Sequence, residues 1–176
     1  LLYGIYIGIT IIESVLLLAG GMNFFDALIH SFGTVATGGF SSYNTGIAHF
    51  DSIYIESVIV IFMMLAGINF NLYYFLLRGR PKHFFKNPEL RVYLLIILVA
   101  SVSLAVILAG FSSYPCFGEG LRFSLFQVVS ILTTTGFASA DFNFWPAPGL
   151  IILLALMFCG GCSGSTSGSI KTIRIM

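Results

Sequence analysis

A chain of 176 residues that is 57% hydrophobic and only 9% charged cannot clothe itself against water, because soluble domains carry about 25% charged residues. That inventory excludes a water-exposed globular domain and makes the bilayer the natural solvent; no catalytic residues and no nucleic-acid partner are expected. The net charge of +1 says little, but five of the eight Lys and Arg (Arg78, Arg80, Lys82, Lys86 and Arg91) share one segment, with Lys171 and Arg174 at the far end. The positive-inside rule places both regions on the cytoplasmic side. Asp26, Asp51, Glu56, Glu119 and Asp141 fall in or beside segments on the other side.

In chain order, Leu1 to Ala19 is apolar apart from Thr10, Glu13 and Ser14, long enough to cross a hydrocarbon core of about 30 Å as a helix. Gly20-Gly21 ends it. Asn23 or Asp26 then starts a helix over Phe24 to Val35, with Asp26 near its positive end. This helix is too short to span and reads as re-entrant, dipping into the membrane and handing over to a Thr/Gly loop. Such backbone is tolerated at membrane depth only when buried in protein or lining a wet cavity. Ser42–Phe50 returns to the surface, and Ile53 to Leu77 forms the next span, interrupted in texture by Gly67, Asn69 and Asn71. A basic linker bounded by Pro81 and Pro88 follows. Arg91 to Ala109 is a third span, Leu121 to Leu132 a second short helix, and Gly149 to Phe158 a last apolar run. The chain starts inside an apolar segment, without Met or signal peptide, and is expected to be a fragment of a longer protein.

The order is span, short helix, loop, span, and then the same again. Thr34–Ser41 (Thr-Val-Ala-Thr-Gly-Gly-Phe-Ser) returns as Ser130–Ala138 (Ser-Ile-Leu-Thr-Thr-Thr-Gly-Phe-Ala). An offset of 97 residues lays Gly39 on Gly136, Thr37 on Thr134, Phe40 on Phe137 and Leu28 on Leu125. The predicted fold class is therefore an all-α membrane protein with two helix–pore helix–selectivity loop–helix units. The units are 1–77 and 91–176, joined by a linker at 78–90. Internal repeats at membrane depth frame translocation paths.

The loop chemistry points to a cation. An ion leaves water only where oxygen ligands replace its hydration shell, and backbone carbonyls aimed at one axis do this without importing charge. Glycine tolerates the unusual dihedrals this needs, threonine adds a hydroxyl, and the C-terminal end of the short helix favours positive charge. Both loops can be laid on the potassium-channel sequence T-V-G-Y-G as Thr, variable, Gly, aromatic, small. Ser41 and Ala138 stand where that sequence has a second glycine, so a shorter, looser filter and modest discrimination of potassium from sodium are expected. The alternative is that each loop is a polar packing turn.

Gly160–Ser169 contains four Gly and four Ser, a poor helix because Gly costs about 1 kcal/mol against Ala. It falls where the repeat asks for a span. Two readings stand: an unwound segment that obstructs or opens a pore, or a helix-packing face of the G-x-x-x-G kind. No P-loop is present, because Lys171 follows Ser169-Ile170. Cys159 and Cys162 form a C-x-x-C without companion ligands. Glu13 invites either proton coupling or a pore-helix hydrogen bond. Asn69 and Asn71 either face the pore or bond between helices.

Val-Ala-Thr-Gly-Gly-Phe-Ser at 35–41, Leu-Thr-Thr-Thr-Gly-Phe-Ala at 132–138 and Gly-Gly-Cys-Ser-Gly-Ser-Thr-Ser-Gly-Ser-Ile-Lys at 160–171 resemble the Trk/Ktr/HKT superfamily, closest to its bacterial potassium-uptake subunits. The likeness covers essentially the whole chain. It implies four helix–pore helix–helix repeats in one polypeptide, of which this chain holds the second and third. It also implies a multi-pass protein of the bacterial inner membrane, a homodimer with one pore per subunit, and a cytoplasmic ring of TrkA-like regulatory subunits binding NAD or ATP. Carried over, the potassium filter falls on Ala36, Thr37, Gly38, Gly39 and on Thr133, Thr134, Thr135, Gly136. The gate falls on Gly160, Gly161, Cys162, Ser163, Gly164, Ser165, Thr166, Ser167, Gly168 and Ser169. No bound cofactor is implied; K+ is the transported ion. A simple two-repeat potassium channel and a non-transporting membrane scaffold or sensor are the alternatives.

Overall fold

The computed structural model describes residues 2–79, 84, 86–111, 114 and 116–175. Arg80, Pro81, Lys82 and His83 of the basic linker lie outside the described residues. Within them the chain runs through α1 (Leu2–Ala19), α2 (Phe24–Val35), α3 (Ile53–Ala66), α4 (Phe70–Leu77), α5 (Pro88–Gly110), α6 (Phe117–Leu132), α7 (Ala147–Phe158) and a final turn, α8 (Thr172–Ile175).

Local chemistry sets most of these boundaries. Gly21 adopts φ 94° and lets the Met22 N–H reach back to Leu17 O, closing α1. Asn23 is extended and α2 starts immediately after it, with Asp26 in its first turn. At α5 the Asn87 side chain accepts from the Leu90 N–H at 3.1 Å and Pro88 occupies the first turn. That is why this helix starts three residues before Arg91.

α1 and α5 are each long and apolar enough to cross a membrane. α1 packs along α2 and α5 along α6, while α3 touches both short helices. Leu17, Ile59, Met63, Tyr93, Leu104, Leu108, Phe126 and Leu132 fill the shared interior, each at most 1% exposed. The outward faces stay apolar: Ile7, Ile11 and Val15 on α1, and Leu95, Leu98, Val102 and Val106 on α5, are exposed. Apolar inside and apolar outside is the pattern of a membrane protein, whose solvent is as greasy as its core.

One expected element is not as predicted. Ile53 to Leu77 is not one continuous helix: α3 and α4 are separate helices bent by 94° at Gly67–Asn69. Asn69 caps α4 by accepting from the Asn71 N–H at 2.9 Å, and Asn71 is exposed. The bend leaves Ala66 O and Gly67 O without helical partners, and other segments supply donors. The tract 160–169 is non-helical, as expected from its glycines, so the helix-packing reading of its G-x-x-x-G spacing is not realised.

Gly67 sits in the bend because nothing larger fits. A Cβ there would lie 2.3 Å from Tyr93 Oη and 3.0 Å from Thr133 Cγ2. Gly67→Ala is expected to destabilise the full-length protein by about 1–3 kcal/mol, the range for overpacking a filled core. Adding Tyr93→Phe removes the nearest of those atoms and should recover part of the loss, measured as the thermal midpoint in detergent.

Candidate functional site

Each Thr/Gly loop is an elaborated helix C-terminus. At the end of α2 the N–H of Thr37 bonds Thr34 O (3.1 Å), while Gly38 and Gly39 N–H share Gly33 O (2.8 and 3.2 Å). At the end of α6 the N–H of Thr134 bonds Ile131 O (3.0 Å), while Thr135 and Gly136 N–H share Ser130 O (2.9 and 3.2 Å). Each is a Schellman-type closure, with a threonine in the left-handed position glycine normally takes: φ is 53° at Thr37 and 58° at Thr134. For a β-branched residue that conformation is strained, and strain of this kind collects at functional sites.

The geometry has a direct chemical consequence. In a trans peptide the N–H of one residue points opposite to the C=O of the residue before it, and no described peptide is cis. Since the N–H groups of 37–39 point into the end of α2, the carbonyls of Ala36, Thr37 and Gly38 point away from it. Those of Thr133, Thr134 and Thr135 point away from α6 for the same reason. Among the described residues none of these six carbonyls accepts a main-chain hydrogen bond. Each loop thus offers a short row of carbonyl oxygens, backed by the partially negative end of a helix.

The two loops touch. A Cβ on Gly39, where φ is 65°, would stand 2.0 Å from Thr135 O, so only glycine lets the first loop approach the second. Ile47 N–H crosses to Ala138 O at 3.2 Å. His30 on α2 serves both loops. Its Nδ1 lies 2.7 Å from Asp26 O, a carbonyl that can only accept, so Nδ1 carries the proton and Nε2 accepts from Ser41 Oγ at 3.0 Å. The same ring stacks on Phe137 of the second loop, centroids 5.8 Å apart. Gly33 leaves room for that phenyl: a Cβ there would meet Phe137 Cζ at 3.1 Å. Phe137 is 1% exposed, whereas its counterpart Phe40 is 76% exposed. The sequence reading gave no role to His30; its spacing of seven residues from Thr37 put it one helical face back from the loop, but nothing in the sequence named its partners.

The tract 160–169 lies against the threonine end of both loops. Thr37 Oγ1 lies 2.7 Å from Ala36 O and 3.0 Å from Thr166 O, with one proton to share between them, and Gly168 N–H donates to Thr134 Oγ1 at 2.7 Å. It also docks into the α3–α4 bend. Cys162 N–H bonds Gly67 O (2.9 Å), the Thr166 hydroxyl bonds Ala66 O (3.2 Å), and Phe70 N–H bonds Gly164 O (3.1 Å).

The acids behave differently from one another. Glu13 on α1 is fully buried, with its carboxyl facing Thr34 of α2. Glu56, expected among the outward acids, is buried and stands 3.1 Å from Arg122 on α6, so its charge is answered within the protein. Asp26 accepts from Ser42 Oγ (2.6 Å) and Tyr43 Oη (3.1 Å) at the head of α2.

Two short helices that each end in carbonyls turned away from the helix, in an otherwise apolar helical protein, offer a surface suited to a cation. A family model described as TrkH, cation transport protein, matches residues 1–176. The chain belongs to the TrkH family. It is similar to the Trk system potassium uptake protein TrkH of Halomonas elongata, 43% identical over 99% of this chain and 36% of that protein. The corresponding protein of Escherichia coli K12 is 38% identical, with the same coverage. The crystal structure of the potassium transporter TrkH from Vibrio parahaemolyticus superposes with a TM-score of 0.95 at 37% identity, covering 99% of this chain and 38% of that one. The chain therefore spans little more than a third of the length of the relatives it matches.

The hydroxyls of Ser42 and, secondarily, Tyr43 hold the Asp26 carboxyl below its ordinary value of 3.8. A depressed folded-state value means that this anchor contributes stability above 3.8 and loses it as pH falls through the lower folded value. Thermal melts over that acidic window should show stability declining with pH, with a shallower decline in Asp26→Asn.

Proposed function

We propose that this chain is part of a potassium uptake protein of the bacterial inner membrane, and that its two Thr/Gly loops are two walls of a four-walled filter. Residues 36–39 and 133–136 coordinate the ion through the carbonyls turned away from α2 and α6. The observation that carries this reading is that arrangement: two loops in contact, with matching main-chain hydrogen bonds and, on the far side, carbonyl oxygens that take no main-chain donor. The relatives are named as potassium uptake proteins, which favours this reading over a scaffold or a sensor.

On this reading the chain holds two repeats, 1–77 and 91–176, and further walls come from the rest of a longer polypeptide. Short rows of carbonyls give modest selectivity, so sodium passes less well than potassium. Gly160–Ser169 is the gate, because it is tied to Thr37 and Thr134 at one end of the filter and is too rich in glycine to hold a rigid helix. The basic linker faces the cytoplasm, where a TrkA-like subunit binding NAD or ATP regulates a homodimer.

Rubidium and sodium flux into liposomes containing the full-length protein tests this. Gly39→Ser drives a side chain into Thr135 O, and Gly136→Ser strains a backbone at φ 86°. Each should lower the rubidium-to-sodium flux ratio by about tenfold, equivalent to about 1.4 kcal/mol of lost discrimination. Unchanged ratios in both variants would refute the filter. Shortening Gly160–Ser169 should raise rubidium flux; no change would refute the gate.

A further inference from the structure

The tract 160–169 is gripped by two charged side chains that take no part in the filter. Glu89 is in the first turn of α5, directly after the Asn87–Pro88 pair that starts the helix. It is 5% exposed, and its Oε1 accepts the N–H of Ser163. At the other end of the tract Lys171 Nζ donates to Ser165 O at 3.5 Å and also to Ser167 O. The other ties of the tract, to Ala66, Gly67, Phe70, Thr37, Thr134, Met157, Ile170 and Thr172, join neutral groups. Charge-assisted hydrogen bonds are about twice as strong as neutral ones, so these two grips are the strongest contacts the tract makes. A carboxylate is buried at such a place only if a partner answers it, and here a donor comes from the tract itself. Glu89 is also fixed to a helix whose start is the end of the basic linker, so moving the linker end of α5 moves the acceptor that holds Ser163.

We propose that Glu89 is a positioning residue that latches the Gly160–Ser169 tract in its docked position, with Lys171 as the opposing clamp. This rests on the reading of the tract as the gate, and the test separates the two. Cys162 precedes Ser163 and is fully buried, so its reactivity reports undocking whether or not ions flow. In full-length protein retaining Cys162 as its only cysteine, labelling by a charged maleimide is measured beside rubidium flux in liposomes.

Glu89→Ala should speed Cys162 labelling by about tenfold, the effect of losing one strong hydrogen bond, and should raise basal rubidium flux. Glu89→Gln keeps an acceptor oxygen without charge and should give a smaller rise in both. Lys171→Met, which releases the other end, should also speed labelling; it and Glu89→Gln carry the test if Glu89→Ala does not assemble. Cys162 labelling unchanged in all assembled variants overturns the latch. Faster labelling with unchanged rubidium flux keeps Glu89 as the tract's anchor but overturns its control of the pore. Unchanged flux after shortening the tract itself refutes the gate, leaving the labelling result to decide the anchor alone.

Discussion

The fold depends on where two short helices send their last hydrogen bonds. In hydrocarbon an unpaired main-chain group is expensive, so irregular backbone survives at membrane depth only when its donors are satisfied within the protein. Here Gly33 O and Ser130 O each take two N–H groups, and Thr34 O and Ile131 O one each. That closure satisfies the donors of the loops and leaves their outward carbonyls without main-chain donors. The asymmetry is the chemically useful part: a surface with its N–H groups satisfied behind and oxygens in front suits a cation better than an anion.

The same rule accounts for the other two irregular segments. α3 breaks before α4, and residues 160–169 after α7 form no helix. Either defect alone would strand main-chain groups. Together they satisfy one another: Cys162 and Thr166 donate to the open end of α3, and Gly164 O takes the first N–H of α4. Close approach requires Gly161, whose Cβ would lie 2.8 Å from Gly67 O, and Gly164, whose Cβ would lie 2.9 Å from Asn69 Oδ1. A segment held mostly by neutral, partner-specific hydrogen bonds, with little apolar burial, belongs to the low-stability end of a structure. That suits the gate proposed for it above.

Much of this was legible in the residues. The short helix Phe24–Val35, the paired loops and the non-helical tract follow from length, glycine placement and a repeat at a fixed offset. The bend at Gly67 was not, because glycine and asparagine inside an apolar run are compatible with a straight helix; what decides is Tyr93 and Thr133, which fill the space from α5 and α6. Glu56 read as an outward acid because charge sign and segment were all the sequence offered, and its partner Arg122 lies on another helix. His30 and Glu89 were invisible for a related reason. Each acts across a contact between segments distant in sequence, and no local pattern encodes that meeting.

The contrast between the two loops carries the architecture one step further. Phe137 is buried on His30 and Gly33 of the preceding short helix, while Phe40 stands open. Gly39 is crowded by Thr135 of the following loop, while Gly136 meets nothing within 4 Å. Each junction therefore has a direction: a loop lays its phenyl on the short helix before it and its glycine against the loop after it. Two members joined this way form an arc with one unfilled end of each kind, Phe40 at one and Gly136 at the other. At α6, Gln127 occupies the position that His30 holds in α2 and is likewise buried. Unlike ends of this sort join to further members of the same kind, and a ring closes when the last glycine finds a loop and the first phenyl a helix. On the filter proposed above, selectivity is thus a property of the closed ring, with the two loops of this chain as consecutive walls.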